Sequence, residues 1–391
     1  MLERIGRFLT LVWAVIGIIR NGLFGIAQPG VPMEPQNTLY PTDQYVREAY
    51  LTPIWQTGIQ YNEALTPLAL PDGQLPDFSL LYPIGEVLSV RDSSLAVEYT
   101  AGTDYTVASG KLRIPPGSSI PTYPYTFAYP AEASGDFRIQ RADDGHYIEL
   151  GNGTDSFHVT QLAVTYRPAA GTAFPGAIPA PQARFLPHTL TKLENKEPLK
   201  LLVLGDSISF GCQASGWGGF QPYMPPYYEL VRQSLEAKYS TSIDMVNESI
   251  GGKQSDFGAE NAAAFAEAHN PDLVILAFGM NDGFGVSVMD YYRNMLKAMS
   301  AFRAHNASVE FILVATMLPN PAVAMKSMHA EYLLPLKTLS GRGAALADMT
   351  SVTAAVLSRK QNYTDIAGNN FNHPNDWMVR VYAQTVLACF E

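Results

Sequence analysis

The sequence predicts two architectures in series, an antiparallel all-β sandwich or jelly roll followed by an α/β domain on a parallel sheet. Three observations predict them. Prolines are uneven, 19 of 28 lying before residue 191, and the same stretch holds a single lysine, Lys111. Up to Arg167 the apolar residues come in short β-type runs broken by Pro, Gly, Asp and Asn, the punctuation of antiparallel strands. After Lys200, strand-length apolar runs alternate with longer segments of helical period, which implies a parallel sheet covered on both faces. A chain of 391 residues has room for two or three domains and a sizeable core.

The first element is a segment over residues 1–34. Arg4 and Arg7 precede an almost unbroken apolar run from Phe8 to Ile19, and Gly25-Ile26-Ala27 follows. This pattern reads as a secretory signal or as an apolar helix docked on the protein or a partner subunit. Twelve helical residues cover about 18 Å, short of the roughly 30 Å of a bilayer core, so the run alone does not span a membrane. Membrane association through this segment, export and a cytoplasmic location all stay open, as does homo-oligomerisation.

The second unit is placed at 35–187, with strands expected over Glu86–Val90, Leu95–Tyr99, Lys111–Ile114 and Leu162–Tyr166. It ends in the Pro/Ala/Gly-rich connection from Pro168 to Pro187. The third unit, 188–391, is expected to place strands over Leu201–Leu204, Ile243–Val246, Leu273–Phe278 and Phe311–Ala315. Helices are expected near Pro226–Lys238, Asp256–His269 and Val286–His305.

Composition removes several functions. Apolar residues make up 47% and charged residues 16%, so the chain buries enough apolar surface to fold and is not a disordered or fibrous polymer. A formal charge of -10 leaves no positive excess for nucleic acid. Two cysteines, Cys212 and Cys389, make neither a disulfide framework nor a four-thiolate metal site. His146, His158, His188, His269, His305 and His329 show no paired metal spacing and read as structural, so no cofactor or metal is expected.

In a parallel α/β sheet the ligand site lies beyond the carboxyl ends of the strands. Four polar loops fall there: Gly205-Asp206-Ser207, Asn247-Glu248-Ser249-Ile250-Gly251-Gly252, Gly279-Met280-Asn281-Asp282 and Asn372-His373-Pro374. A serine needs a base to become nucleophilic, and acyl transfer needs donors for its oxyanion. Ser207, His373, a Gly252 backbone N–H and the Asn281 side-chain amide supply those parts. Asp206 and Asp282 read as acceptors that tie the loops.

Over residues 198–390 the sequence resembles the SGNH or GDSL hydrolase family, on these four blocks in this order. The resemblance implies a flavodoxin-like three-layer fold and ester hydrolysis through an acyl-enzyme. It implies attack by Ser207, proton transfer through His373, and an oxyanion hole from the Ser207 N–H, a glycine N–H and Asn281. Gly252 is preferred to Gly251 as donor because the polar run Lys253-Gln254-Ser255 follows it. One position departs from the pattern: three residues before the histidine, where the family usually has an acid, stands Asn370. That leaves a Ser-His dyad, a carboxylate from Asp376, Asp365 or Asp348, or a site impaired at Asn370. If Asn370 orients His373 only weakly, Asn370→Asp is expected to keep or raise turnover.

Trp217, Tyr223 and Phe284, near the nucleophile and oxyanion blocks, are candidate substrate contacts, since aromatic rims suit sugar faces and apolar esters alike. The sandwich-then-hydrolase order resembles carbohydrate esterases with an amino-terminal jelly roll. The expected substrate is therefore a small-molecule or carbohydrate ester, an acetyl ester first. The alternatives are a general short-chain esterase or lipase-like enzyme, and a non-catalytic carbohydrate-binding protein with a decayed hydrolase domain.

Overall fold

A computed structural model describes residues 50–133, 139–150 and 157–391. The signal-like segment over 1–34 lies outside the described residues. Strand β1 (Gln60–Leu65) pairs antiparallel with β5 (Leu162–Pro168), which pairs on its other edge with β2 (Ile84–Asp92). Between them β3 (Thr106–Ala108) and β4 (Lys111–Arg113) form a two-stranded antiparallel ribbon. The run Leu95–Tyr99 is not a strand. The Asp92 carboxylate binds the Val97 N–H, Leu95 sits in left-handed backbone at φ 66°, and the pairing of Arg91 with Glu98 is an isolated bridge, reinforced by their side-chain ion pair. The β-rich amino-terminal region is thus antiparallel, in a three-stranded sheet and a ribbon.

The α/β part begins with helix α1 (Pro187–Glu194) and strand β6 (Leu199–Gly205). It continues through a short helix α2 (Ser207–Phe210), α3 (Tyr227–Tyr239), β7 (Ile243–Asn247), α4 (Ser255–His269) and β8 (Leu273–Ala277). Then come α5 (Val288–His305), β9 (Glu310–Ala315), α6 (Leu333–Leu339), β10 (Ala344–Asp348), α7 (Met349–Leu357) and α8 (Asp376–Leu387). The sheet order is β10-β9-β8-β6-β7, every pair parallel. Strand side chains alternate between faces. Leu201, Val203, Ile275, Ile312 and Val314 face one helical layer, and Leu202, Leu204, Val274, Leu276 and Leu313 face the other with α4 and α5. Both faces are covered, as the continuous apolar runs require.

The two architectures share a core. Leu65, Phe78, Leu81, Tyr82, Val164 and Tyr166 from the β-rich region join the same buried cluster as Trp377, Val381, Tyr382 and Val386 of α8. Polar ties cross the same seam. Lys360 Nζ lies 2.5 Å from Glu63 Oε1 with both side chains fully buried, and it also donates to the Ala64 carbonyl at 2.8 Å. Glu63 accepts from the Leu81 N–H and the Tyr166 hydroxyl, so neither charge lacks partners. Arg380 donates to the Tyr61 and Asn62 carbonyls, and the Thr66 N–H donates to Asp365. The connection before α1 is tied as well: Gln182 exchanges two hydrogen bonds with the Leu346 backbone on edge strand β10. Among the described residues no helix is long and apolar enough to cross a membrane.

Candidate active site

The end of β6 is shaped by a close approach. A Cβ on Gly205 would lie 2.4 Å from the Ala277 carbonyl oxygen, so only glycine lets the two strands run side by side there. The next residue, Asp206, caps α2, its carboxylate accepting from the Ile208 N–H at 3.0 Å. Burial pushes this carboxyl up to about 7. Ser207 opens α2 and is fully buried. His373 Nε2 lies 2.8 Å from Ser207 Oγ, the separation of a hydrogen bond. Burial pushes the His373 imidazole down to about 4, so the ring is neutral at pH 7 and Nε2 can accept the serine proton. The pairing brings together two residues 166 positions apart.

The loop after β7 is bound to the end of β6. The Glu248 N–H donates to the Val203 carbonyl, the Ile250 N–H to that of Gly205, and Asn247 Nδ2 to that of Ser209. Gly252 follows in left-handed backbone at φ 73°, a conformation that favours glycine. The loop after β8 is stitched to it. Asn281 Nδ2 donates to the Lys253 carbonyl at 2.9 Å and Gln254 Nε2 returns a bond to the Asn281 carbonyl at 3.1 Å. Gly252 and Asn281 therefore stand on adjoining loops beside the serine turn. Asp282 accepts from the Ser255 N–H and hydroxyl at the start of α4, which is the loop-tying role its position suggested.

His329, which the sequence marks only as structural, packs against the Asn281 loop. Its Nε2 lies 2.7 Å from the Met280 carbonyl and its Nδ1 2.6 Å from the Ser327 hydroxyl. The carbonyl can only accept, so Nε2 carries the proton and Nδ1 accepts from the serine. The ring is fully buried and pushed down to about 4 by that burial. It packs so closely on Gly283 that a Cβ there would lie 2.2 Å from the imidazole. His329 thus pins the backbone on both sides of Asn281, and the glycine after Asp282 was the trace of it in the sequence.

The loop carrying His373 differs from expectation at Asn370. This residue is fully buried in left-handed backbone at φ 52°, a conformation asparagine tolerates. Its side-chain amide donates to the Ala128 carbonyl at 3.1 Å and its Oδ1 accepts from Asn320 Nδ2 at 3.2 Å. Both groups of the amide are engaged with those neighbours, and Asn370 acts as a tie between this loop, the loop after β9 and the β-rich region. Each of the three carboxylates considered as substitutes for the missing acid accepts from a group other than His373, with Asp365 Oδ2 left without a hydrogen-bond partner. Asp376 accepts from the Ser215 N–H, Asp365 from the Thr66 N–H, and Asp348 caps α7 through Ser351. The cap of α8 is Asn375, not Asp376.

The aromatic candidates divide. Phe284 is partly exposed, stacks on Phe371 at 5.4 Å and meets the His329 ring edge-on. That puts it between the His329 ring and the histidine loop. Trp217 packs edge-to-face on Phe210 of α2 and against the main core, a packing role. Tyr223 lies in the turn after the cis Gln221–Pro222 bond, half-buried. Among the described residues no group of three or more His, Cys, Asp or Glu side chains could hold a metal ion.

Residues 203–380 match the family model described as GDSL-like Lipase/Acylhydrolase family. This part, somewhat less than half of the chain, is similar to GDSL-like lipases and acylhydrolases. An arylesterase from Vibrio mimicus is 31% identical over 111 residues, covering 28% of this chain and 52% of that protein. The match therefore spans about half the length of that relative. Among solved structures, a two-domain esterase (CEX) active on acetylated mannans superposes with a TM-score of 0.43 at 19% identity, covering 54% of this chain and 52% of that one. A carbohydrate esterase family 3 protein from Talaromyces cellulolyticus gives a TM-score of 0.38 at 17% identity, covering 49% and 94%.

Proposed function

We propose that this chain is a serine ester hydrolase acting through an acyl-enzyme on Ser207. The observation that carries the reading is the 2.8 Å contact between Ser207 Oγ and a buried, neutral His373. In this reading Ser207 Oγ attacks the ester carbonyl as its proton passes to His373 Nε2. The tetrahedral oxyanion is met by the Gly252 and Ser207 N–H groups and by the Asn281 amide, which has a second N–H besides the one given to Lys253. Collapse breaks the bond to the alcohol, which leaves with the proton from His373. A water then attacks the acyl-enzyme, giving its proton to the same nitrogen, and the acid leaves as Ser207 regains its hydrogen.

The favoured substrate is a short acyl ester, an acetyl group first, because Ser207 is fully buried and a small acyl group needs the least space to reach it. For the alcohol side we favour a carbohydrate, with the β-rich region helping to present it. This rests on the order of the two architectures and on the partly exposed ring of Phe284 beside the oxyanion loop. Stacking of Phe284 on Phe371 supports a second reading, an esterase for simple aryl or alkyl esters. Turnover of p-nitrophenyl acetate, longer p-nitrophenyl esters and acetylated xylan by the full chain separates the two. In the same assay Ser207→Ala is expected to lower turnover by about 10⁴-fold or more with an unchanged melting temperature. A folded Ser207→Ala protein with normal turnover overturns the nucleophile assignment, and preference for long acyl chains overturns the acetyl reading.

A further inference from the structure

We infer that Asn369, one residue before the place where the family carries its acid, is the positioning residue that holds the His373 imidazole on Ser207. The inference rests on the reading of His373 as the proton acceptor. A single oxygen, Asn369 Oδ1, accepts from three successive backbone N–H groups: Phe371 at 3.1 Å, Asn372 at 2.9 Å and His373 at 2.9 Å. Consecutive amides turned toward one point form the concave donor cluster that elsewhere binds anions. In this loop the occupant is an amide oxygen from the loop itself. The other end of the same side chain is used too, Asn369 Nδ2 donating to Asn372 Oδ1 at 2.9 Å.

These bonds fix the residue that carries the imidazole. The His373 N–H is bound to Asn369, and the His373 carbonyl accepts from the Gly368 N–H at 3.0 Å. Pro374 restricts His373 further, since a residue before proline is held to extended backbone. With the backbone set on both sides, what remains is the side-chain torsions, which the contact with Ser207 helps to set. Asn369, Asn372 and His373 are all buried, so solvent cannot replace a lost acceptor. Asn370 does different work: its amide ties the loop outward to Ala128 and Asn320.

Removing Oδ1 strands three buried donors at the loop that aims the base. A displacement on the order of 1 Å at a catalytic group costs about 100-fold in rate. A carboxylate at the same place keeps the acceptor and strengthens it by charge, with the Asn372 amide turned to present its NH₂.

The test compares Asn369→Ala and Asn369→Asp with the parent full-length protein, using p-nitrophenyl acetate and ¹⁵N-detected titration of the histidine rings. For Asn369→Ala the expected result is a fall in kcat of about 100-fold with KM within about twofold. The His373 titration should move up toward the ordinary imidazole range as the ring loosens into solvent. For Asn369→Asp the expected result is recovery to within several-fold of the parent. A residue that only stabilises the loop would change the melting temperature and leave the KM-against-kcat split and the titration in place. Parent-like kcat and His373 titration in Asn369→Ala overturn the inference, and so does an Asn369→Asp protein no better than the alanine variant. If the parent turns over no ester, the proposed function fails and the ring titration alone decides: an unmoved His373 in Asn369→Ala overturns the positioning role, and a shifted one with reversal in Asn369→Asp upholds it.

Discussion

Neighbouring asparagines in the histidine loop show how little residue type says without a backbone. Asn369, Asn370 and Asn372 are alike in sequence and buried alike, yet one gathers three N–H groups, one takes left-handed backbone and bridges to another segment, and one completes a side-chain pair. The spacing argument singled out Asn370 as heir to the missing acid, and on that ground Asn370→Asp was expected to keep or raise turnover. The hydrogen bonds of Asn370 argue for the opposite outcome. The Asn370 Nδ2 that donates to the Ala128 carbonyl would become a carboxylate oxygen facing that carbonyl, fully buried and repelled. Asn370→Asp is expected to lose about 1–3 kcal/mol of stability, read as a fall in the urea midpoint, with turnover reduced in step with the folded fraction. A variant as stable as the parent and faster near neutral pH would show that the carboxylate turns inward to the imidazole. His329 is the complementary case. Its role was invisible because the partner of its Nε2 is a backbone carbonyl, which no sequence pattern marks.

At the scale of elements, the α/β half was legible and the seam was not. Strands β6, β8 and β9 are continuous apolar runs because both faces of the sheet are covered, and the helices between them begin and end within about two residues of the segments read from their period. Helix α8 resists such reading. It is buried almost all round, so it has no polar stripe to orient it, and its partners in the β-rich region lie some 300 residues away in sequence. The charges at that seam give a direct test. Lys360→Met leaves Glu63 buried without its cation and is expected to cost about 3–5 kcal/mol. Adding Glu63→Gln should restore much of that loss, since the amide still accepts and no lone charge remains. Urea melts of the single and double variants decide it, and two additive losses would mean that the pair is not coupled. The same seam predicts that a fragment beginning near Leu190 does not fold, because it exposes the apolar and charged faces of α8 and of the segment around Lys360. A cooperative melt from that fragment, with activity, would refute the shared core.

The protein as a whole is built with ionisable groups forced away from their usual ranges in opposite directions, and this sets how it should respond to pH. Burial pushes Asp206 up to about 7 and Asp282 and Asp365 up to about 6, while His329 and His373 are pushed down to about 4. The signs follow from proton counting. A carboxyl with a raised folded pKa holds a proton that the unfolded chain has released, so between about 4 and 6 the three aspartates make stability fall as pH rises. A histidine with a lowered folded pKa lacks a proton that the unfolded chain holds, so between about 4 and 6.5 the two imidazoles make stability rise with pH. Over the shared window the contributions oppose without cancelling: the three aspartates, joined by Asp376, which burial raises too, outnumber the two imidazoles, so the melting temperature is expected to fall modestly from pH 4.5 to 6. Activity has no such compensation, because it depends on one of these groups. His373 accepts a proton only when neutral, so kcat/KM should climb with pH through about 4 and be near its plateau by pH 5.5. An acid limb centred near 6.5 in the pH-rate profile would mean that the imidazole is hydrated in the working enzyme and that the closed arrangement around Ser207 opens before substrate binds.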